Sequence, residues 1–242
     1  MSHTLPDYTT KYKMVKIFGQ IDSGEVAARQ EALSTWDRRG ALVWCDDFEA
    51  PTFCKWDTNI DAPGTCALST VEAWRGSQSV KTVTAPTAGL DVTLEKRFNL
   101  PIDRQVGAEF MFHIESGKPL VRLYIAGYNG TNYFGSEVRY NHNTGLLYYW
   151  NSAGAFIELP RYEWISEDIG SWIYMKLVID TETKKYIRFI FGSTEYDLSA
   201  LNLRSNADPT ERLLVVFIYN MAATNAAATV YFDNFILTQN EP

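Results

Sequence analysis

The sequence predicts an all-β domain, a two-sheet antiparallel β-sandwich that begins near residue 41. Three observations predict it: apolar and polar residues alternate in many short segments, aromatic residues make up 14% of the chain, and turn residues separate the segments at regular intervals. Alternation is the signature of a strand with one buried face, and aromatic side chains suit a pleated surface. Short strands at regular spacing are typical of sandwiches and barrels rather than of α/β proteins.

Residues 1–40 form a separate unit, an arm in front of the sandwich domain of residues 41–242. Asp22 followed three residues later by Glu25 is a capping signature, so we expect one short helix on an otherwise extended arm. The apolar side chains of the arm need a covering surface, which is either the chain's own sandwich or a neighbouring subunit. The expected docking residues are Tyr8, Tyr12, Met14, Val15, Ile17 and Phe18.

Strands follow one another from residue 90 to residue 237. The clearest alternation places Val106, Ala108, Phe110, Phe112 and Ile114 on a core face. A hairpin is expected where a Gly-containing loop joins residues 137–140 to residues 146–150. Further strands are expected at Val121–Ile125, Trp172–Asp180, Tyr186–Phe191, Leu213–Tyr219 and Thr229–Leu237.

Charge and hydropathy restrict the partners. The formal net charge is −7 without a block of like charges, which excludes the clustered Lys and Arg of a nucleic-acid binder. No segment reaches the roughly 20 apolar residues of a membrane helix. The first residues lack the basic and apolar regions of a signal peptide, so we expect the chain to be in a reducing cytosol.

Three cysteines lie close together in sequence, at positions 45, 54 and 66. The odd number does not suit a fully paired disulfide scaffold, and without an export signal free thiols are favoured. A bridge between Cys54 and Cys66 in an oxidising compartment is the alternative.

Three segments carry a family resemblance. Residues 44–49 (WCDDFE) with Trp56 resemble an opening strand, residues 172–180 with 186–189 and 195–198 resemble central strands, and residues 231–237 (YFDNFIL) resemble a closing strand. Together they resemble the concanavalin A-like jelly roll, the superfamily of laminin G-like domains, legume lectins and many glucanases. The arm with a single sandwich is similar to structural proteins of tailed phages, such as capsid decoration and tail-associated proteins.

The catalytic residues of the glucanases in this superfamily are absent from this sequence. Glucanases of the superfamily carry Glu-x-Asp-x-x-Glu on one strand, which this sequence lacks; Glu109 is the only carboxylate on its strand face. Glu137 and Arg139 share a strand face, and we interpret them as members of a cross-strand ion pair. Gly127, Gly130 and Gly135 are assigned to turns rather than to a phosphate loop. We therefore expect a protein that is not an enzyme.

Two kinds of site remain open. In carbohydrate-binding modules of similar form, acidic residues of the first and last strands hold a structural calcium ion; the matching residues here are Asp47, Glu49 and Asp233. Local hydrogen bonding of these carboxylates is the alternative, and we expect no other cofactor. A glycan platform needs exposed rings, for which Tyr124, Tyr148 and Trp150 are the candidates, with burial in the core as the alternative.

The sequence thus favours a structural assembly protein of a virion surface, a capsid decoration or tail-associated protein. Its arm would dock on other copies of the chain or on a capsid or tail protein, and its sandwich would face outward. The first alternative is a carbohydrate-binding, lectin-like module, and the second is a glycoside hydrolase.

Overall fold

The computed structural model describes residue 37 and residues 39–99, 104–160 and 171–242. The helix expected after Asp22 lies outside these residues, and so does the proposed docking surface of the arm. The division of the chain at residue 40 therefore stays a prediction. The docking residues concerned are Tyr8, Tyr12, Met14, Val15, Ile17 and Phe18.

The described residues are all β, without a helix, and none of their segments is a helix able to cross a membrane. The predicted fold class is confirmed. The strands are β1 (Ala41–Asp46), β2 (Asp57–Ile60), β3 (Thr65–Ser69), β4 (Ser79–Val83), β5 (Asp91–Phe98), β6 (Gln105–Ser116), β7 (Pro119–Tyr128), β8 (Asn132–Asn141), β9 (Leu146–Trp150), β10 (Phe156–Leu159), β11 (Trp172–Asp180), β12 (Lys185–Phe191), β13 (Thr194–Asp197), β14 (Arg204–Ala207), β15 (Leu213–Ala222) and β16 (Thr229–Gln239).

The strands form two sheets that pack face to face as a jelly-roll sandwich. Sheet A has the order β13-β12-β11-β6-β16-β4-β3, with β1 also paired to β16. Sheet B has the order β10-β9-β8-β7-β15-β5-β2, with β14 also paired to β8. The pairs at the centre of both sheets are antiparallel. Each sheet therefore has one face towards the other sheet and one face directed outward.

Alternation along the strands fills the space between the sheets, as predicted. The five core residues expected on β6 are buried there, and Leu123 and Ile125 of β7 oppose them from sheet B. The predicted hairpin is present: β8 ends at Asn141, and Gly145, with a φ of 68°, precedes β9. Cys45, Cys54 and Cys66 are free thiols, as expected.

Residues 44–49, the predicted opening strand, contain a buried carboxylate, Asp46, that binds the residues after β1. Asp46 at the end of β1 accepts hydrogen bonds from the Trp56 indole at 3.0 Å, the Phe48 backbone N–H at 3.2 Å and the Lys55 ammonium at 2.7 Å. The Trp56 ring in turn packs edge-on against Phe235 of β16, with ring centroids 4.9 Å apart. Asp46 therefore fixes the loop after β1 and closes one end of the core.

Two glycines assigned to turns lie inside strands, which corrects the prediction. Gly127 of β7 is paired with Phe134 of β8, and the Phe134 ring lies across the position that a side chain at 127 would occupy. Gly135 of β8 lies in the same way beneath the hydroxyl groups of Tyr124 and Tyr133. Gly in a strand marks such close approaches, so both glycines serve ring packing rather than chain reversal.

Gly127→Ala is expected to destabilise the fold. The added methyl group overlaps the Phe134 ring, which is 1% exposed and has no free space to enter. Overpacking of this kind lowers the free energy of unfolding by about 1–3 kcal/mol, measurable by urea denaturation. Combining Gly127→Ala with Phe134→Leu should cost less than the sum of the two single changes. Strict additivity would contradict the contact.

The outward face of sheet A carries a buried ion network. The Lys176 ammonium lies 3.0 Å from Asp37, 3.1 Å from Glu109 and 2.8 Å from Glu241, and it is 0% exposed. Arg188 of β12 pairs with Asp37 at 3.3 Å and also contacts Glu241. The network joins residue 37, which precedes the sandwich, and the C-terminal segment to the middle strands of sheet A.

The electrostatics of this network favour the charged forms. Burial opposes the charge on Asp37, but hydrogen bonds from Arg39 and the charge of Lys176 outweigh it and hold the carboxyl pKa below its usual value. Burial likewise opposes the charge on Lys176, yet Glu109 and the other carboxylates raise its pKa. Asp37 and Lys176 are therefore both charged over the neutral pH range.

Candidate functional site on the outward face of sheet B

The outward face of sheet B collects aromatic and arginine side chains. On β7, β8, β9 and β15 the residues that alternate with the core set point away from sheet A, and they meet across the strand pairs. We call this surface the aromatic–arginine face. Its members are Arg122, Tyr124, Tyr133, Glu137, Arg139, Tyr148, Trp150, Phe156, Arg204, Phe217 and Tyr219.

Its centre is a carboxylate between two arginines. Arg122 donates from Nε to Glu137 Oε1 at 2.6 Å and from Nη2 to Oε2 at 3.1 Å. Arg139 donates from Nη2 to Oε1 of the same carboxylate at 2.8 Å. Register places Arg122 directly opposite Arg139, so one side chain of β7 and two of β8 meet at one point. The predicted cross-strand ion pair is present: Glu137 of β8 pairs with Arg122 of β7.

The two guanidinium groups differ in their surroundings. Burial opposes the charge on Arg122, but its hydrogen bonds to Glu137 outweigh that effect and raise its pKa. Burial lowers the pKa of Arg139, and the attraction of Glu137 offsets it only in part. Because the unperturbed pKa of an arginine side chain is above 12, both groups stay charged at neutral pH. Burial also raises the pKa of Tyr219 to about 12.

Three aromatic rings each lie beneath an arginine. The Cζ atom of Arg122 is 4.2 Å from the centroid of the Tyr219 ring, and that of Arg139 is 3.0 Å from the Phe156 ring. The Cζ atom of Arg204, on β14, lies 4.7 Å from the centroid of the Trp150 ring, on β9. A guanidinium stacked on a ring is held flat, with its N–H donors directed sideways along the surface.

The rings also contact one another and form a continuous row. Tyr124 stacks on Phe217 with centroids 5.4 Å apart and meets the edge of Trp150 at 6.0 Å. Trp150 and Phe156 are nearly parallel, with an interplanar angle of 14° and centroids 6.3 Å apart. The Tyr124 and Tyr133 hydroxyls contact each other above Gly135. The row crosses the strands instead of following one of them.

All three residues predicted as a glycan platform lie on this face. Tyr124 and Trp150 are in ring contact, and Tyr148 pairs in register with Arg139 on one side and Glu158 on the other. Their role in binding stays a prediction. Sequence reasoning missed Arg122 and Arg204, whose partners lie on other strands.

The residues predicted to hold calcium are engaged in backbone hydrogen bonds. Asp233 accepts from the backbone N–H groups of Trp74 at 2.8 Å and Arg75 at 3.2 Å. Burial nevertheless raises the pKa of Asp233 to about 6. Asp47 accepts the backbone N–H of Glu49 at 3.2 Å.

Glu49 contributes to the same loop. Its carboxylate accepts backbone N–H groups from Ser77 at 2.7 Å and Gln78 at 3.0 Å. Within the described ranges, no group of three or more His, Cys, Asp or Glu side chains is arranged to hold a metal ion. The carboxylates fasten the loop before β4, and calcium binding stays a prediction.

No family model matches this chain, and no curated protein matches its sequence. Solved structures are similar in fold. An endo-β-1,4-glucuronan lyase from the fungus Trichoderma reesei is 13% identical, covers 82% of this chain and 95% of its own, and has a TM-score of 0.57. The cellulose-induced protein Cip1 is 15% identical over 82% of this chain and 98% of its own, with a TM-score of 0.54. A Bacillus subtilis protein with a galectin-like fold is 12% identical over 84% and 97%, with a TM-score of 0.53.

These likenesses show the fold and correct one prediction. The concanavalin A-like resemblance holds at the level of the jelly-roll sandwich. The expectation that the protein is not an enzyme is contradicted by the likeness to the lyase, an enzyme built on the same sandwich. The missing glucanase motif excluded one catalytic arrangement only, since one fold hosts many chemistries.

Proposed function

We propose that the chain binds a polysaccharide along the aromatic–arginine face. The observation that carries the proposal is the row of rings and guanidinium groups across five adjacent strands, β15-β7-β8-β9-β10. With strands about 4.8 Å apart, the row spans roughly 19 Å, which is long enough for several sugar units. This function is the first alternative of the sequence analysis.

The chemistry of the face suits a carbohydrate ligand. Sugars combine apolar C–H faces with hydroxyl groups, so they bind where aromatic rings lie beside convergent hydrogen-bond donors. Tyr124 and Trp150 supply ring edges and faces, and Arg122 and Arg139 supply donors within the same row. The glucuronan lyase is named for a polysaccharide, and Cip1 is named for its induction by cellulose. Both add an analogy at the level of the fold.

Trp150→Ala is the variant that tests this proposal. Affinity electrophoresis in gels containing a panel of neutral and acidic polysaccharides should show retardation of the wild-type chain by at least one polymer. Trp150→Ala should raise the dissociation constant about tenfold or more. The substitution removes a ring of the row and the ring against which Arg204 packs.

Trp172→Ala is the matched control. Trp172 lies on the outward face of sheet A, where it packs against Trp74 with ring centroids 6.4 Å apart. Its loss should leave the retardation unchanged. If no polysaccharide retards the wild-type chain, or if both variants lose binding equally, the aromatic–arginine face is not the binding site.

A second candidate function is cleavage of the bound polysaccharide. The Tyr124 and Tyr133 hydroxyls lie beside the Arg122–Glu137–Arg139 cluster, and Tyr124 is paired in register with Glu137. In an elimination, a phenolate would take the proton from the carbon next to a sugar carboxylate while the adjacent C–O bond to the leaving sugar breaks. The phenol so formed would return the proton to the leaving oxygen, and the guanidinium groups would neutralise the carboxylate. Measuring new chain ends in the same incubations separates binding with cleavage from binding alone.

The other predictions of function lack such an observation. Hydrolysis requires two suitably spaced carboxylates, and Glu137 is enclosed by two arginines. The virion-surface role depends on the arm, and residues 1–36 lie outside the described ranges. It stays a prediction, as do the partners and the location that it implies.

A further inference from the structure

We infer that the ligand of the aromatic–arginine face is an acidic polysaccharide, and that Arg122, Arg139 and Arg204 bind its carboxylate groups. This inference rests on the proposed polysaccharide binding and specifies the class of ligand. Three guanidinium groups lie in the row. The neighbouring carboxylates are Glu137, which pairs with two of them, and Glu158, which lies opposite Tyr148, so these five groups have one positive charge in excess.

The local charge contrasts with that of the chain. The whole protein has a net charge of −7, so a cluster with an excess of positive charge is not the result of general basicity. An anionic polymer is repelled by the net charge of the protein at long range, whereas the guanidinium groups of this face attract it locally. Binding therefore depends on the particular positions of the arginines rather than on total charge.

The guanidinium groups also lie close to the rings. The Cζ atoms of Arg122, Arg139 and Arg204 are 4.2, 3.0 and 4.7 Å from the ring centroids of Tyr219, Phe156 and Trp150. The N–H donors of this part of the face are therefore beside its rings. Planar guanidinium donors match the geometry of carboxylate oxygens better than that of single hydroxyl groups.

Glu137 uses only some of the guanidinium donors. Glu137 accepts hydrogen bonds from Nε and Nη2 of both Arg122 and Arg139. The Nη1 groups of both side chains lie outside these pairs. Glu137, which is 4% exposed, acts as a positioning residue. It holds both guanidinium groups in place through Nε and Nη2 and leaves the Nη1 side of each for a ligand anion.

The test compares acidic polysaccharides with their own carboxyl-reduced forms, which keep the sugar backbone and lose the charge. The probes are alginate, polygalacturonate and a glucuronate polymer in affinity electrophoresis. Retardation by at least one acidic polymer, lost on carboxyl reduction and weakened by added NaCl, is the expected result. Binding to reduced or neutral polymers alone overturns the anionic ligand but not the proposed function, whereas binding to none overturns both.

Variants then place the anion on the arginines. Arg139→Gln and Arg204→Gln should each weaken binding of the retained acidic polymer at least about tenfold, because each removes a charge-assisted hydrogen bond. Arg97→Gln is the matched control; Arg97 lies on β5 of the same sheet, pairs with Glu95 and should change binding less than about twofold. Thermal unfolding checks each fold. Should Arg139→Gln unfold, Arg204→Gln decides, since Arg204 is not a partner of Glu137. Unchanged binding in folded variants overturns the inference.

Discussion

Lys176→Met is expected to lower the free energy of unfolding by about 3–5 kcal/mol at pH 7. Methionine keeps most of the volume of the side chain and removes only the charge. Asp37, Glu109 and Glu241 then lose the ammonium that lies within 3.1 Å of each of them. Arg188 still pairs with Asp37 and Glu241, but the buried cluster then has one cation fewer for the same carboxylates, and burial removes the water that would stabilise the excess negative charge.

The cost of Lys176→Met should depend on pH in a defined direction. The lowered pKa of Asp37 means that the wild-type chain loses stability as the pH falls through the acidic range. In the variant the carboxylates have one cation fewer, so protonation relieves their mutual repulsion as the pH falls. The difference in unfolding free energy between the two proteins should therefore decrease between pH 7 and about pH 4.

Lys81→Met provides the matched control for this experiment. Lys81 is on the same sheet and pairs with Glu115 at 3.0 Å, but both side chains are about one-third exposed. Exposed pairs contribute at most about 1 kcal/mol, so this variant should unfold close to the wild-type denaturant concentration. A cost for Lys176→Met no larger than that for Lys81→Met would show that the network does not stabilise the fold.

The second large effect is expected for Asp46→Ala, at about 2–4 kcal/mol of unfolding free energy. The substitution leaves the Trp56 indole N–H and the Phe48 backbone N–H without their acceptor in a buried setting. It also releases Lys55 from its ion pair. Urea denaturation followed by tryptophan fluorescence measures the loss, because Trp56 packs in the core beside this carboxylate.

Asp47→Ala is the neighbouring control. Asp47 is half-buried and accepts a backbone hydrogen bond from Glu49, so its removal should cost less than about 1 kcal/mol. Equal losses for the two variants would mean that the acidic pair acts through charge alone. A larger loss at position 47 would contradict the role given to Asp46.

The strands could be predicted because their alternation has a local physical cause. A strand with one buried face repeats apolar residues every second position, as Phe110 and Phe112 do, and no distant information is needed to detect it. The same rule places Tyr148 and Trp150 on one face once Tyr149 is assigned to the core. Which face is buried depends on packing, and so the core alternative remained open from sequence.

The centre of the candidate site could not be predicted, because strand register assembles it. Glu137 and Arg139 are two positions apart on one strand, and their shared face is visible in the sequence. Arg122 joins them only because β7 pairs with β8 in a register that the loop between them sets. Lys176 illustrates the same limit, since its partners Asp37 and Glu241 lie near opposite ends of the chain.

Ligand binding at the aromatic–arginine face is tested most directly by NMR, which follows the tryptophan indole N–H signals of the ¹⁵N-labelled protein while a soluble acidic oligosaccharide is added. Trp150 lies in the aromatic–arginine face, whereas Trp74 and Trp172 lie against each other on sheet A. We expect the Trp150 signal, assigned with Trp150→Ala, to shift in a saturable manner while the other two stay in place. Shifts confined to Trp74 and Trp172, or no shift at any concentration, would contradict it.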